Sequence, residues 1–237
     1  TMPVDTFREA AKVGLTGVLA PKSLGGREAS FLAAAKVLEE LAGACFAFTF
    51  GLWVHNNMLN AIARNGTPDQ INRYIPPMLA GERIGAFCLT EPGAGSDAAA
   101  ISTHAQKTTD GWRLNGEKAW VTNGMGADVF GMYAQTDPDQ GWRGIASFLV
   151  AGDASGLERT APYTMLGSHA LGVTGLTLTN CPIPKADVLF GPGDGFKAAM
   201  RGINLARTFV GAGCCGMLNA SLKAALTYGA KRRAFGK

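Results

Sequence analysis

Charge is scarce in this chain. Asp, Glu, Lys and Arg make up 17% of its 237 residues, and 22 basic against 18 acidic side chains leave a formal +4. So small an excess, spread over this length, excludes the clustered basic surface of a nucleic-acid binder. With 47% hydrophobic residues the chain is too apolar to remain disordered. Cysteine is also little used. Cys45, Cys88, Cys181, Cys214 and Cys215 are odd in number, form no CxxC pair and include one adjacent pair. That excludes a disulfide framework or a thiolate zinc site and predicts reduced, buried thiols in a reducing compartment, cytoplasm or mitochondrial matrix. His55, His104 and His169 lie too far apart for a local ligand set, so no metal is expected. Long hydrophobic runs are missing too. The longest, Leu41–Val54 (LAGACFAFTFGLWV), is interrupted by Gly and Thr and falls short of the roughly 20 residues of a membrane span. No charged segment followed by an apolar stretch opens the chain as an export signal would.

Glycine is plentiful: 32 residues, roughly twice its ~7% average usage, which predicts many tight turns and close backbone approaches. The hydrophobic period then divides the chain into three regions. Residues 1–83 read as helical. Thr6 with Glu9 suggests a capping box, and Phe7, Ala10, Ala11 and Leu15 follow at helical spacing. Leu24–Gly26 breaks the chain. Phe31, Ala34, Ala35, Leu38, Leu41 and Ala42 form an amphipathic stripe, and a further helix covers Trp53–Arg64. Thr67, Pro68 and Gln70 start the next helix, which Pro76–Pro77 and Gly81 should end.

Over residues 84–190 the period falls to two. Ile84–Leu89, Trp112–Leu114, Glu117–Val121, Val129–Gln135, Ile145–Val150 and Gly175–Thr179 read as strands, with Asn115–Gly116 a hairpin signal. Short strands without intervening helices predict an antiparallel β sandwich or barrel. Residues 191–237 hold one long helix from Phe196 to about Tyr228, with a small-residue cluster at Gly211–Gly216 that would let another helix approach closely. The fold class is therefore α+β: a helical domain, a β domain, and the start of a helical bundle. One long apolar helix cannot bury its face alone. With no second helix before Lys237 and Thr in place of Met at the start, the expectation is a fragment, or a subunit completed by another chain.

Gly93-Ala-Gly95-Ser-Asp-Ala98 matches the GxGxxA dinucleotide fingerprint, but its context does not. Glu91–Pro92 precedes the glycines and a β segment follows them, whereas the fingerprint needs a strand, a tight turn and a helix. A Rossmann domain is excluded on this ground. The exposed backbone N–H groups could still hold a phosphate.

Three stretches carry a resemblance. Thr90–Asp97 (TEPGAGSD), Asn115–Lys118 (NGEK) running into Trp120–Gly124 (WVTNG), and Arg232–Lys237 (RRAFGK) resemble the acyl-CoA dehydrogenase family of flavoproteins in order and spacing. The resemblance implies FAD clasped between helical and β domains, usually in a homotetramer. It also implies oxidation of an acyl-CoA to the trans-2-enoyl thioester, with electrons passed to an electron-transfer flavoprotein. In its light Phe87, Leu89 and Thr90 lie along the isoalloxazine, Trp120 packs on the ring system, and the Thr122 hydroxyl sits near N5. Gly95 and Ser96 contact cofactor or substrate phosphate, and Arg232 resembles an arginine that reaches FAD in a neighbouring subunit. Asn204 and Arg207 fall on a DxxR-like stretch that contacts pantetheine, with Asn204 in place of the usual acid.

Taken without the resemblance, the same residues suit plainer roles: Trp120 a core aromatic, Thr90 and Thr122 strand or turn residues, Ser96–Asp97 a turn or cap, Arg207 a salt-bridged surface residue, and Lys231–Lys237 a solvated helix end. The Ser168–Thr174 loop (SHALGVT) offers few polar partners for CoA. Abstraction of the α-proton requires a carboxylate. On the resemblance the base comes from beyond Lys237, or from the residue before Arg207, which here is Ala206; no residue of this chain is assigned as catalytic base. Two rival functions follow. The scaffold could serve a flavin monooxygenase or an acyl-carrier-protein dehydrogenase, or it could be a non-catalytic flavin-binding subunit completed by a partner.

Overall fold

The computed structural model describes residues 2–236; Thr1 and Lys237, the last residue of RRAFGK, lie outside them. Four helices, α1 (Val4–Lys12), α2 (Phe31–Asn65), α3 (Pro68–Leu79) and α4 (Gly195–Gly229), surround a sheet of eight strands. The strands are β1 (Gly85–Cys88), β2 (His104–Lys107), β3 (Gly111–Val121), β4 (Val129–Gln135), β5 (Ile145–Ala151), β6 (Leu157–Arg159), β7 (Thr174–Pro184) and β8 (Val188–Phe190).

The sheet runs β6-β7-β3-β2-β4-β5-β8, with β1 also on β4. It is mainly antiparallel, as the short-strand pattern predicts, but β1 and β2 each pair with β4 in parallel. β4 is buried at every position. Phe130, Met132 and Ala134 point into the core of the sheet, whereas Val129 and Tyr133 pack toward the helical side. Covering on both faces explains an apolar run without alternation. β5 behaves alike: Ala146, Phe148 and Val150 face the inner core, and Ile145 and Leu149 the helices.

The Asn115–Gly116 hairpin is not formed. The chain runs straight through both residues as one strand, paired with β2 on one side and, along its whole length, with β7 some 60 residues later on the other. The ladder shifts register between Leu114 and Gly116. Gly116 sits at φ 141°, where a Cβ would press on the Thr103 backbone at 2.7 Å, and Asn115 Oδ1 accepts from the Asn180 N–H at 2.7 Å. The Asn-Gly pair makes a bulge and a close approach rather than a turn.

Helix boundaries differ as well. α1 begins at Val4 behind Pro3 with no side-chain cap, so the Thr6/Glu9 box is absent. Glu9 pairs instead with Lys12 at 2.7 Å. The Thr67/Gln70 capping box is complete, but Pro76 and Pro77 lie inside α3. The two helices expected around Phe31–Ala42 and Trp53–Arg64 merge into α2, bent at Cys45, whose φ −157° and ψ 99° are not helical. Cys45, Cys214 and Cys215 are exposed; only Cys88 and Cys181 are buried.

Helix α4 crosses α2 at its glycines. A Cβ on Gly216 would collide with the Glu39 carbonyl, and one on Gly213 would meet the Phe46 ring at 3.2 Å. Both helices contain 18-residue windows apolar enough for a membrane span, with mean hydropathy 1.5 and 1.3. Interruptions by Gly and Thr hid this length from the run-based reading. In the fold α2 spends these residues on contacts with α4, α3 and β1.

Candidate functional site

Between the sheet, α2 and α4 lies a cavity of about 180 Å³. Phe87 and Thr90 reach it from β1 and the segment leaving it, and Ala119, Trp120 and Thr122 from the end of β3. Phe50, Val54 and Asn57 arrive at helical spacing on one face of α2, and Gly202, Ile203 and Ala206 on one face of α4. Four sequence-distant segments therefore share one small, mostly apolar chamber.

Trp120 is the least ordinary of these residues. Its backbone sits at φ 56°, a left-handed conformation costing a bulky residue about 1–3 kcal/mol. It lies where the β3–β7 ladder slips between Lys118 and Val121. That irregularity turns the indole outward: Ala119 and Val121 are buried, yet Trp120 is 58% exposed. One face stacks on Tyr163, centroids 4.3 Å apart and planes 28° from parallel. It is thus not a core aromatic.

A buried polar frame holds the walls. Asn123, also left-handed at φ 65°, donates from Nδ2 to the carbonyls of Gly51 at 2.8 Å and Gly85 at 3.1 Å, joining the WVTNG turn to α2 and β1. His55 Nδ1 accepts the Gly85 N–H at 3.2 Å. Burial depresses the His55 pKa to about 4, so it is a neutral imidazole that positions β1. Arg159 donates to the carbonyls of Gly124, Ala127 and Gly152 at 2.8–2.9 Å, bracing the far side of the same turn.

The TEPGAGSD loop is pinned by Glu91. Its carboxylate accepts from the Ser102 N–H (2.6 Å), the Ser102 hydroxyl (2.8 Å), the Thr103 N–H (3.0 Å) and Lys118 Nζ (2.7 Å). Glu91 is a structural anion. Gly93 and Gly95 have open space where a Cβ would stand, and Ala98–Ala100 forms only a single 3₁₀ turn, not the helix a Rossmann loop requires.

Two family models account for most of the chain: the acyl-CoA dehydrogenase N-terminal domain matches residues 1–82 and the acyl-CoA dehydrogenase middle domain residues 86–181. The chain belongs to the acyl-CoA dehydrogenase family. It is 36% identical over 235 residues to the mitochondrial short-chain specific acyl-CoA dehydrogenase of Mus musculus, covering 99% of this chain and 57% of that protein. Among solved structures, the prolyl acyl carrier protein oxidase AnaB superposes with TM-score 0.94 at 30% identity, over 100% of this chain and 63% of AnaB. PigA with FAD and proline gives TM-score 0.94 at 27% identity, over 100% and 62%. The chain thus spans about 57–63% of the length of these relatives.

Within this acyl-CoA dehydrogenase fold the expected site residues separate into two sets. Phe87, Thr90, Trp120 and Thr122 converge on the chamber, as does Ala206. The others do not line it. The Leu89 side chain packs among Ala94, Tyr133 and Ile145, and only its carbonyl is polar-bonded, to Lys118 at 3.3 Å. Gly95 and Ser96 are exposed on the loop. Asn204 and Arg207 lie on the outer side of α4, where Arg207 donates to Asn204 Oδ1 at 3.0 Å; it forms no salt bridge among the described residues. Arg232 is exposed three residues past Gly229, the end of α4, which is itself about 34 Å along the helix from Ala206 at 1.5 Å per residue. Sequence reasoning missed Lys118, Asn123, Arg159 and Asn57. The first two stand inside the quoted NGEK and WVTNG motifs, a signal that could have found them. Nothing local marks Arg159 or Asn57.

Proposed function

We propose that this chain is the larger part of an FAD-dependent acyl thioester dehydrogenase, which oxidises a saturated acyl group to the trans-2-enoyl thioester. The carrying observation is the convergence of Phe87, Thr90, Trp120 and Thr122 on one chamber roofed by two helices. These residues fit a planar aromatic cofactor. The exposed, pre-aimed indole supplies a stacking surface, the threonines supply hydroxyls, and the open space beside Gly93 and Gly95 admits close approach of a phosphate. FAD, when bound, supplies the hydride acceptor. Hydroxyl and backbone donors from Thr90 and Thr122 would stabilise negative charge on its polar edge. Phe50, Val54 and Ile203 would exclude water from the acyl carbons. On this reading Gly95 and Ser96 hold phosphate, Asn204 and Arg207 meet the pantetheine arm, and Arg232 serves the site of a neighbouring subunit in a homotetramer. The α-proton goes to a carboxylate supplied from outside these 237 residues, since Ala206 carries no acid. Electrons leave to an electron-transfer flavoprotein, in the cytoplasm or, for a eukaryotic source, the mitochondrial matrix.

The test is anaerobic titration of the full-length, FAD-loaded protein with a panel of acyl-CoAs. Bleaching of the flavin band with at least one supports the reading, and no response across short, long and branched chains, with acyl-carrier-protein thioesters equally silent, overturns it. One observation favours a variant in which the thioester carrier is a carrier protein. Leu171, Val173 and Thr174 of the 168–174 loop are buried, which leaves Ser168 and His169 as its only polar side chains toward a CoA nucleotide. Bleaching by acyl-carrier-protein thioesters but not by acyl-CoA would establish that variant.

A further inference from the structure

A second cavity, about 420 Å³, adjoins the chamber on the helix side of the sheet. Asn57, Phe87 and Gly202 line both, and a Cβ on Gly202 would meet nothing within 4 Å, so the boundary is open there. Trp53 and Phe209, both nearly fully buried with ring centroids 3.9 Å apart, pack with Val18, Leu19, Ala34 and Leu38 in a separate core cluster between α2 and α4.

The larger cavity has an unusual lining for an acyl tail. Asn57, Asn60, Tyr133, Ser147, Arg64 and Arg201 all face it, and no carboxylate among the described residues does. Ser147 Oγ is buried and has no hydrogen-bond partner within bonding geometry among the described residues, with the Tyr133 side chain beside it, so a ligand atom entering the cavity would find a free donor. Tyr133 stands directly across from Ser147 in the β4–β5 register. Arg64 donates to Asn60 Oδ1 and the Leu19 carbonyl, and neither Arg64 nor Arg201 is in an ion pair among the described residues. From Asn57 to Arg64 is about 10 Å along α2. The cavity therefore turns cationic at its far end.

Resting on the dehydrogenase reading above, we infer that the acyl tail passes Gly202 and Asn57 into this cavity and that the preferred acyl group ends in a carboxylate. Ser147 and the two asparagine amides donate to it, and Arg64 and Arg201 balance its charge.

The experiment compares acyl-pantetheine thioesters, the portion that CoA and carrier proteins share, on the full-length FAD-loaded protein. Dicarboxylic monothioesters are matched in carbon count with monocarboxylic ones, and binding is read from the perturbation of the flavin spectrum. The expected result is tighter binding of the dicarboxylic series by tenfold or more, abolished in Arg201→Ala with monocarboxylic binding unchanged. Ser147→Ala should also weaken dicarboxylic binding while leaving unfolding stability equal or raised, which a packing role would not do. Equal or better binding of the monocarboxylic series overturns the inference and leaves the dehydrogenase reading intact. No perturbation by either series overturns the dehydrogenase reading.

Discussion

Lys118 Nζ lies 2.7 Å from Glu91 Oε1, with both side chains at most 2% exposed. The pair joins β3 to the loop that leaves β1, and the same ammonium reaches the Leu89 carbonyl at 3.3 Å. It thus fixes the backbone on either side of Thr90. Burial is the largest influence on each group, raising Glu91 and lowering Lys118. For Glu91 the ammonium and the donors from Ser102 and Thr103 prevail and bring its pKa to about 2. Lys118→Met would strand a buried carboxylate and should cost about 3–5 kcal/mol, read by urea denaturation. Adding Glu91→Gln to that variant should recover part of the loss. A Lys118→Met protein as stable as wild type would show that the pair does not hold the loop.

Stability should fall with acid in two steps. His55 titrates at about 4 in the folded protein against 6.5 when unfolded, so the unfolded chain binds the extra proton between these values. Its contribution is complete above pH 6.5 and is lost as pH falls toward 4, on the order of 3 kcal/mol in all. Glu91 adds a second loss as pH falls from 4.5 toward 2. Urea midpoints at pH 7 and pH 5 should differ in wild type, and His55→Leu should remove most of that difference whatever its absolute stability.

Trp120→Ala separates stacking from packing. Because the indole is exposed, unfolding stability should change by less than about 1 kcal/mol. FAD affinity, followed by flavin fluorescence on the full-length protein, should drop about two- to tenfold if the ring stacks on the cofactor. Unchanged affinity would remove Trp120 from the proposed site.

The α2–α4 crossing discriminates between neighbouring glycines. Gly216→Val places a side chain against the Glu39 carbonyl and should destabilise by about 1–3 kcal/mol or more. Gly211→Ala faces open space and should stabilise by up to about 1 kcal/mol through helix propensity. Thermal melts of both variants suffice to check the contrast.

By itself the sequence determined the order of periods, because helical and strand spacing are local properties of side-chain placement. Thr67 and Gln70 announced their own cap, and the run 196–228 its own helix. Thr90, Trp120 and Thr122 were legible through the motifs that contain them, and Phe87 through its place three residues before one. The tertiary structure decided the rest. Asn115–Gly116 has the local chemistry of a hairpin, yet Thr103 packing over Gly116 and β7 pairing along the whole strand outweigh it. The exposure of Trp120 depends on a ladder slip set jointly by β3 and β7. Lys118 and Glu91, 27 residues apart, could be recognised as partners only once the segment leaving β1 lay against β3. Asn57 with Ser147, and Trp53 with Phe209, meet across elements that share no local pattern. Cavities are made by such meetings, so the chamber and its larger neighbour belong to the fold and not to any one segment.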